Sequence, residues 1–260
     1  MKILLVNKYL YRKGGAETYF IKLGEYLKSL GNEVEYFGMA DERNCVGNRV
    51  EAYTENIDFH KKSLKHITYP FKIIYSVNAR KQIRKVLSDF KPDVVHLNNF
   101  NYQLTPSIIY EIKKHNIPIV YTAHDVQLVC PNHKLKNDYT DGLCRKCDGG
   151  KYFECVKNNC VHSSKIRSIL GAVEAWYYKL RHTYKMIDLT VCPSEFMEKE
   201  ISRNDDINGR TVTMYNFIDE IKPLGAECEN YVLYFGRYSE EKGISNLVKA
   251  AKKLSNIPFV

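Results

Sequence analysis

No stretch of this 260-residue chain approaches the ~18 consecutive apolar residues that a membrane-spanning helix requires. The opening MKILLVN turns polar too soon for a secretory leader, and no small-residue cleavage site follows it. The dinucleotide fingerprint G-x-G-x-x-G is missing, which argues against a nicotinamide enzyme. Acidic residues are in short supply: 30 Asp and Glu face 39 Lys and Arg, for a formal charge of +9. What the chain does contain excludes disorder, because 44% hydrophobic and 12% aromatic residues supply enough apolar surface for a core. Eight cysteines without a leader point to a reducing, cytoplasmic compartment, where clustered cysteines bind metal more often than they pair as disulfides.

Short apolar runs alternate with helical patterns from the first residue. Ile3 to Val6 reads as a strand buried on both faces. Tyr19, Phe20, Leu23, Tyr26, Leu27 and Leu30 recur at spacings of three and four, as on an amphipathic helix, and Gly31 stands where a helix stop belongs. Strands follow at Val34–Phe37, Val94–Leu97, Ile117–Thr122, Ile187–Cys192 and Thr211–Tyr215. Helices are expected over Tyr75–Asp89, around Ile108–Lys113 and from Ser194-Glu195. Repeated βα alternation implies parallel strands joined by right-handed crossovers, hence an α/β, doubly wound, Rossmann-like sheet. Residues 1–216 make up that domain, with a cysteine-rich insertion at 126–162. Residues 217–230 read as a linker, and 231–260 as the beginning of a second βαβ unit. The chain stops at Val260 inside an expected strand, so a truncated second domain is the expectation.

Ligands of such sheets bind outside the carboxyl ends of the strands. The first loop there carries Gly14-Gly15 at a helix start, where exposed N–H groups suit a phosphate or carboxylate. The loop after the Val94–Leu97 strand holds Asn98 and Asn99, with His96 in the strand itself. Ala123-His124-Asp125 follows the next strand; a histidine so placed can donate to a substrate hydroxyl, and the adjacent Asp125 can fix its tautomer. Arg237 and Lys242, five residues apart across a strand-to-helix loop, can converge on a diphosphate.

Taken in order, GGAE at 14–17, PDVVH at 92–96, TAHD at 122–125, PS-x-F at 193–196, MYN-x-ID at 214–219 and GR-x4-KG at 236–243 resemble a family 4 glycosyltransferase. The resemblance runs over the whole chain. It implies the GT-B fold, two Rossmann-like domains facing across a cleft, of which this chain holds the N-terminal, acceptor-side half. It also implies transfer of a sugar from a nucleoside-diphosphate-sugar donor to a hydroxyl acceptor with retention, with no cofactor required for the chemistry. The setting would be cell-surface polysaccharide or glycolipid synthesis. On the matching motifs, Gly14 and Gly15 lie near the donor phosphates, His124 acts on the transferred sugar, and Arg237 and Lys242 neutralise the leaving diphosphate. Glu17, His96, Asn98, Asn99 and Asp125 are the candidate acceptor and substrate contacts. Many relatives carry a second histidine where this chain has Asn98. The family's E-x7-E motif lies beyond Val260, so the 260-residue chain alone is expected to be inactive. The alternative is a non-catalytic remnant that binds acceptor or membrane only.

Five cysteines fall within the insertion. Cys144-Arg-Lys-Cys147 is a C-x2-C pair followed by Asp148-Gly149-Gly150, and Cys155 and Cys160 can complete four thiolates around a structural zinc. Cys130 is the alternative ligand, with His133 or His162 as substitutes; unligated thiols and a disulfide stay open. Cys45, Cys192 and Cys228 are isolated and read as small apolar fillers. Residues 60–91 hold nine Lys or Arg (61, 62, 65, 72, 80, 81, 84, 85, 91) against Asp89, interleaved with Tyr69, Phe71, Ile73, Ile74 and Tyr75. Such a segment suits peripheral contact with an anionic membrane, although a solvated helix face over a core stripe accounts for it equally. No nucleic-acid module is present, so nucleic acid is not an expected partner.

Overall fold

The structure, a computed structural model, describes residues 1–56, 69–137, 142–207, 209–218, 230–236, 238, 242–254 and 256–260. Backbone contacts divide the chain into two compact units, Met1–Phe217 and Ile218–Val260.

The first unit is built on a six-stranded sheet. Its strands are β1 (Lys2–Val6), β2 (Glu33–Phe37), β3 (Val94–Leu97), β4 (Ile119–Thr122), β5 (Leu189–Cys192) and β6 (Thr211–Thr213), in the spatial order β2-β1-β3-β4-β5-β6. Every neighbouring pair is parallel. Alternation along β1 feeds two cores. Leu4 and Val6 join a large cluster with Phe37, Ile83, Phe90, Val95, Ile108 and others. Ile3 and Leu5 join Leu10, Phe20, Ile21, Val34 and Tyr36 on the other face. Both faces are covered, which is why β1 reads as an unbroken apolar run.

The helices of this unit are α1 (Gly15–Ser29), α2 (Tyr69–Ile74), α3 (Val77–Phe90), α4 (Ser107–Lys114), α5 (Phe153–Lys157), α6 (Lys165–Leu180) and α7 (Glu195–Ile201). Sequence punctuation sets several ends. The Ser76, Ser164 and Ser194 side chains accept from the N–H groups of Ala79, Arg167 and Met197 as N-caps. α3 closes on Lys91 in the left-handed conformation, ahead of Pro92. α1 is rotated from its expected face: Phe20 is buried as expected, but Tyr26 and Leu30 are more than half exposed, and Glu17, Ile21 and Gly24 are buried instead. The cause is β2, whose Tyr36 ring fills the space over Gly24.

Three strands are shorter than their apolar runs. β4 begins at Ile119, because Pro118 has no N–H to donate to the ladder. β5 begins at Leu189, after a 3₁₀ turn over Thr183–Met186, and β6 ends at Thr213. α6 has no counterpart in the apolar pattern. It buries Ser168, Ala172 and Tyr178, whereas its large aliphatic residues point outward. Ile166, Ile169, Val173, Trp176 and Leu180 form an exposed stripe along it. Cys45 is exposed rather than a core filler, Cys192 is buried, and Cys228 lies outside the described residues.

In the second unit, Val232 bridges Phe259 in parallel around α8 (Ile244–Lys253), a single βαβ turn. Among the described residues, no helix is long and apolar enough to cross a membrane.

Candidate functional site

In the order β2-β1-β3-β4 the chain leaves β1 toward one side and β3 toward the other, so the loops after β1 and β3 diverge and open a crevice at the carboxyl ends of the strands. Their bases are stitched together. Asn7, fully buried, accepts from the Asn99 N–H through Oδ1 at 2.9 Å, and the Lys8 N–H donates to the Asn99 carbonyl at 2.7 Å. The loops after β1 and β3 therefore share one hydrogen-bonded frame.

His124 lies just beyond β4, with Nε2 2.9 Å from Asn98 Oδ1. With that oxygen as acceptor, Nε2 carries the proton and Nδ1 keeps a lone pair. Burial pulls the His124 pKa down to about 4 against the opposing charge of Asp125, so the ring is neutral at physiological pH. Asn98 is buried, and its Nδ2 has no hydrogen-bond partner among the described residues. A buried donor left in this state is expensive. The Tyr19 ring meets His124 edge-on at 5.3 Å.

A second cluster adjoins it. Asp125 is not the partner of His124, contrary to the expectation from sequence. Its Oδ1 accepts from the Gln127 N–H at 2.9 Å, and its Oδ2 is 3.5 Å from His133 Nδ1. The turn into residues 126–129 swings the carboxylate away from the neighbouring ring. Burial pushes the Asp125 pKa up, but His133, Gln127 and Lys8 together hold it below the usual range. His133 is raised despite its burial, through Asp125, so the two form an ion pair. Lys8 donates to Asn101 Oδ1 at 2.9 Å, and burial followed by the charge of Lys13 lowers its pKa to about 8. Tyr102 stacks on His133 at 5.7 Å. Burial raises Glu174, on α6, to about 7, with His133 opposing.

The remaining candidates are placed as follows. Gly14 and Gly15 are exposed at the start of α1, and a Cβ on Gly15 would meet nothing within 4 Å. Glu17 is buried, 3.5 Å from Asn99 Nδ2. His96 points its Nε2 at Thr122 Oγ1, 2.7 Å away, and burial, then His124, holds its pKa down to about 4. Its ring is engaged inside the sheet rather than in the crevice loops. Lys242 immediately precedes α8 in the second unit, and Arg237 lies outside the described residues. The structure thus gathers Gly14, Glu17, Asn98, Asn99, His124 and Asp125 at one sheet edge. Sequence reasoning placed Lys8 in the first strand-end loop without giving it a role, and missed Asn101, Tyr102 and His133 as members of this edge. Asn101 follows β3 closely enough for strand position to have flagged it. No local signal brings His133, eight residues past Asp125, back to the sheet.

Comparison with known proteins agrees with this fold. The model of the family described as Glycosyltransferase Family 4 matches residues 13–221. An uncharacterized 42.6 kDa protein in the cps region of Klebsiella pneumoniae is 25% identical over all of this chain and 67% of its own length. Among solved structures, Anabaena HepE in complex with UDP and glucose superposes with a TM-score of 0.54 at 16% identity, over 97% of this chain and 58% of HepE. Sucrose-phosphate synthase from Thermosynechococcus elongatus gives 0.56 at 17% identity, over 97% and 60%. These two share the fold, and the chain spans only about three fifths of their lengths.

Proposed function

This chain belongs to glycosyltransferase family 4, and from that premise we propose that it serves transfer of a sugar from a nucleoside-diphosphate-sugar donor to a hydroxyl acceptor, with retention. The observation that carries this reading is the neutral His124 held by Asn98 at the mouth of the crevice. A neutral imidazole with a free Nδ1 accepts from a sugar hydroxyl, and the unpartnered Asn98 Nδ2 donates to another. Together they fix the pyranose against its acceptor, the positional part of the rate enhancement. Gly15 leaves open space at the α1 N-terminus for the donor phosphates, beside Gly14, where a Cβ would stand 3.3 Å from Glu17 Oε2. Arg237 and Lys242 take the charge that develops on the leaving diphosphate. The nucleoside diphosphate fits the UDP bound by HepE, and the cps-region relative favours a polysaccharide product.

Lys8, Asp125 and His133 bind the acceptor side in this reading. A buried lysine near its pKa and an ion pair offer both donors and acceptors to polyol hydroxyls. An acceptor presented at an anionic membrane surface is favoured by α6, whose outward stripe Ile166, Ile169, Val173, Trp176 and Leu180 is flanked by exposed Lys165, Arg167 and Arg181. The basic segment expected to make this contact fares differently. Lys61, Lys62 and Lys65 lie outside the described residues, and Arg80 and Arg84 are committed to the buried Glu111.

The test is a transfer assay on the protein at the length of its relatives, using radiolabelled UDP-, GDP- and ADP-sugars with a membrane extract as acceptor. Label carried into a saccharide or lipid fraction with one donor class is expected. Absence of both transfer and donor hydrolysis across all three classes, by folded protein, overturns the proposal.

A further inference from the structure

The insertion has little core of its own. Val126, Val129 and Leu135 form its small apolar cluster, with Cys130 and Met197 packed against it. Beside that cluster, one cavity is lined by all five insertion cysteines, Cys130, Cys144, Cys147, Cys155 and Cys160. None of them is in a disulfide. Chain segments up to 30 residues apart therefore converge on a single group of soft sulfur donors, the donor type that selects zinc among the common divalent ions.

The five are not equivalent. All five line the cavity, but Cys130, Cys144, Cys147 and Cys160 are partly exposed, whereas Cys155 is buried. Cys155 is the most buried of the five, and its thiol hydrogen-bonds Cys160. The Cys130 thiol donates to Asn132 Oδ1 at 2.9 Å, and the Lys134 N–H donates to the same oxygen at 2.9 Å, which fixes the loop around that sulfur. At the other end, Gly149 and Gly150, with φ of 68° and 90°, turn the chain back so that the Gly150 N–H donates to the Cys147 carbonyl at 3.1 Å.

We propose that Cys130, Cys144, Cys147 and Cys160 bind one structural zinc ion as four thiolates, with Cys155 packed behind the site as a neutral thiol. This revises the set expected from sequence, in which Cys155 ligates and Cys130 is spare. As the side chains stand, no group of three or more His, Cys, Asp and Glu among the described residues is placed to hold an ion. Ligation therefore turns the four sulfurs toward the cavity centre and breaks the Cys155–Cys160 hydrogen bond. Four S–H protons leave as four Zn–S bonds form, giving a site of charge −2. Lys136 and Arg145 line the same cavity; Arg145 is paired with the buried Glu200, which leaves Lys136 to offset that charge. The ion would cross-link the loop after β4 to the α5 region and so hold the segment that returns His133 to Asp125.

The experiment is elemental analysis of protein purified without added metal, followed by replacement with cobalt. About one zinc per chain is expected, and the cobalt form should show the visible bands and thiolate charge transfer of a tetrahedral four-sulfur site. Cys130→Ser and Cys160→Ser should each weaken zinc binding by about 10²-fold or more, while Cys155→Ser retains one zinc per chain. Loss of zinc in Cys155→Ser with retention in Cys130→Ser overturns the quartet. Metal-free protein with five freely titrating insertion thiols, or a disulfide between any two of them by mass, overturns the site altogether. Should a serine variant fail to fold, the cobalt spectrum of the unaltered protein still decides whether four sulfurs ligate. Each outcome is independent of whether any sugar is transferred.

Discussion

Asn98 and His124 end neighbouring parallel strands and meet side chain to side chain, Oδ1 to Nε2, at 2.9 Å. Adjacent strands of a parallel sheet bring residues 26 positions apart into contact, and the amide fixes which imidazole nitrogen holds the proton. The arrangement commits the protein to a neutral histidine.

His124→Ala, in the protein at the length of its relatives, should lower kcat by roughly 10²-fold, about 2.7 kcal/mol of transition-state stabilisation. The donor KM should change far less. Lys242→Ala should impair both parameters, since a phosphate contact present in the ground state strengthens as charge develops. Steady-state kinetics with thermal melts of each variant decide the matter. Normal turnover with a collapsed melting temperature in His124→Ala would make this histidine structural.

Stability should fall as pH drops from about 6.5 toward 4. His96 and His124 are held neutral in the folded state, with pKa values of about 4, against ~6.5 in an unfolded chain. Between those values the unfolded chain binds more protons, so their contribution is complete above ~6.5 and is lost on acidification. His133, whose pKa is raised, acts oppositely: its contribution is present below ~6.5 and is lost as pH rises through its folded value. Melting curves of His96→Gln should lose less between pH 7 and 5 than the parent protein. An identical loss removes His96 from the account.

Gly24→Ala should destabilise the protein by about 1–3 kcal/mol, although alanine is the better helix former. A Cβ there would stand 2.2 Å from the Tyr36 hydroxyl and 2.8 Å from its ring. That hydroxyl is buried without a partner among the described residues, so Tyr36→Phe should be tolerated and should partly rescue Gly24→Ala. Chemical denaturation of the two single variants and the double variant checks this, and purely additive effects would refute the contact.

Trp176 is the only tryptophan in the chain and lies on the outward stripe of α6. If that stripe meets a membrane, its emission should shift to the blue on anionic vesicles at low salt. The shift should weaken at high salt, because exposed charges are screened over ~8–10 Å at physiological ionic strength. Leu180→Asp or Arg167→Glu should reduce it. An equal response to neutral vesicles would discard the electrostatic part.

The sequence by itself determined the alternation of strands and helices, the parallel sheet and the strand-end loops that bear the site. Those features rest on local physics. Runs such as Ile3–Val6 can only be buried on both faces, Ser76 and Ser194 cap helices through their own side chains, and Gly31 and Pro92 stop them. The motif residues at 14–17 and 122–125 were legible because strand ends are where such sheets bind ligands. Tertiary structure alone decided their partners. Asp125 sits beside His124 in the chain, yet it pairs with His133, because the following turn redirects its carboxylate and a loop returns from eight residues away. α6 escaped the apolar pattern because its contacts are made by Ser168, Ala172 and Tyr178 while its aliphatic residues face out. That five cysteines up to 30 residues apart line one cavity is likewise set by how α5 and the loop after β4 fold together, a proximity that no spacing along the chain encodes.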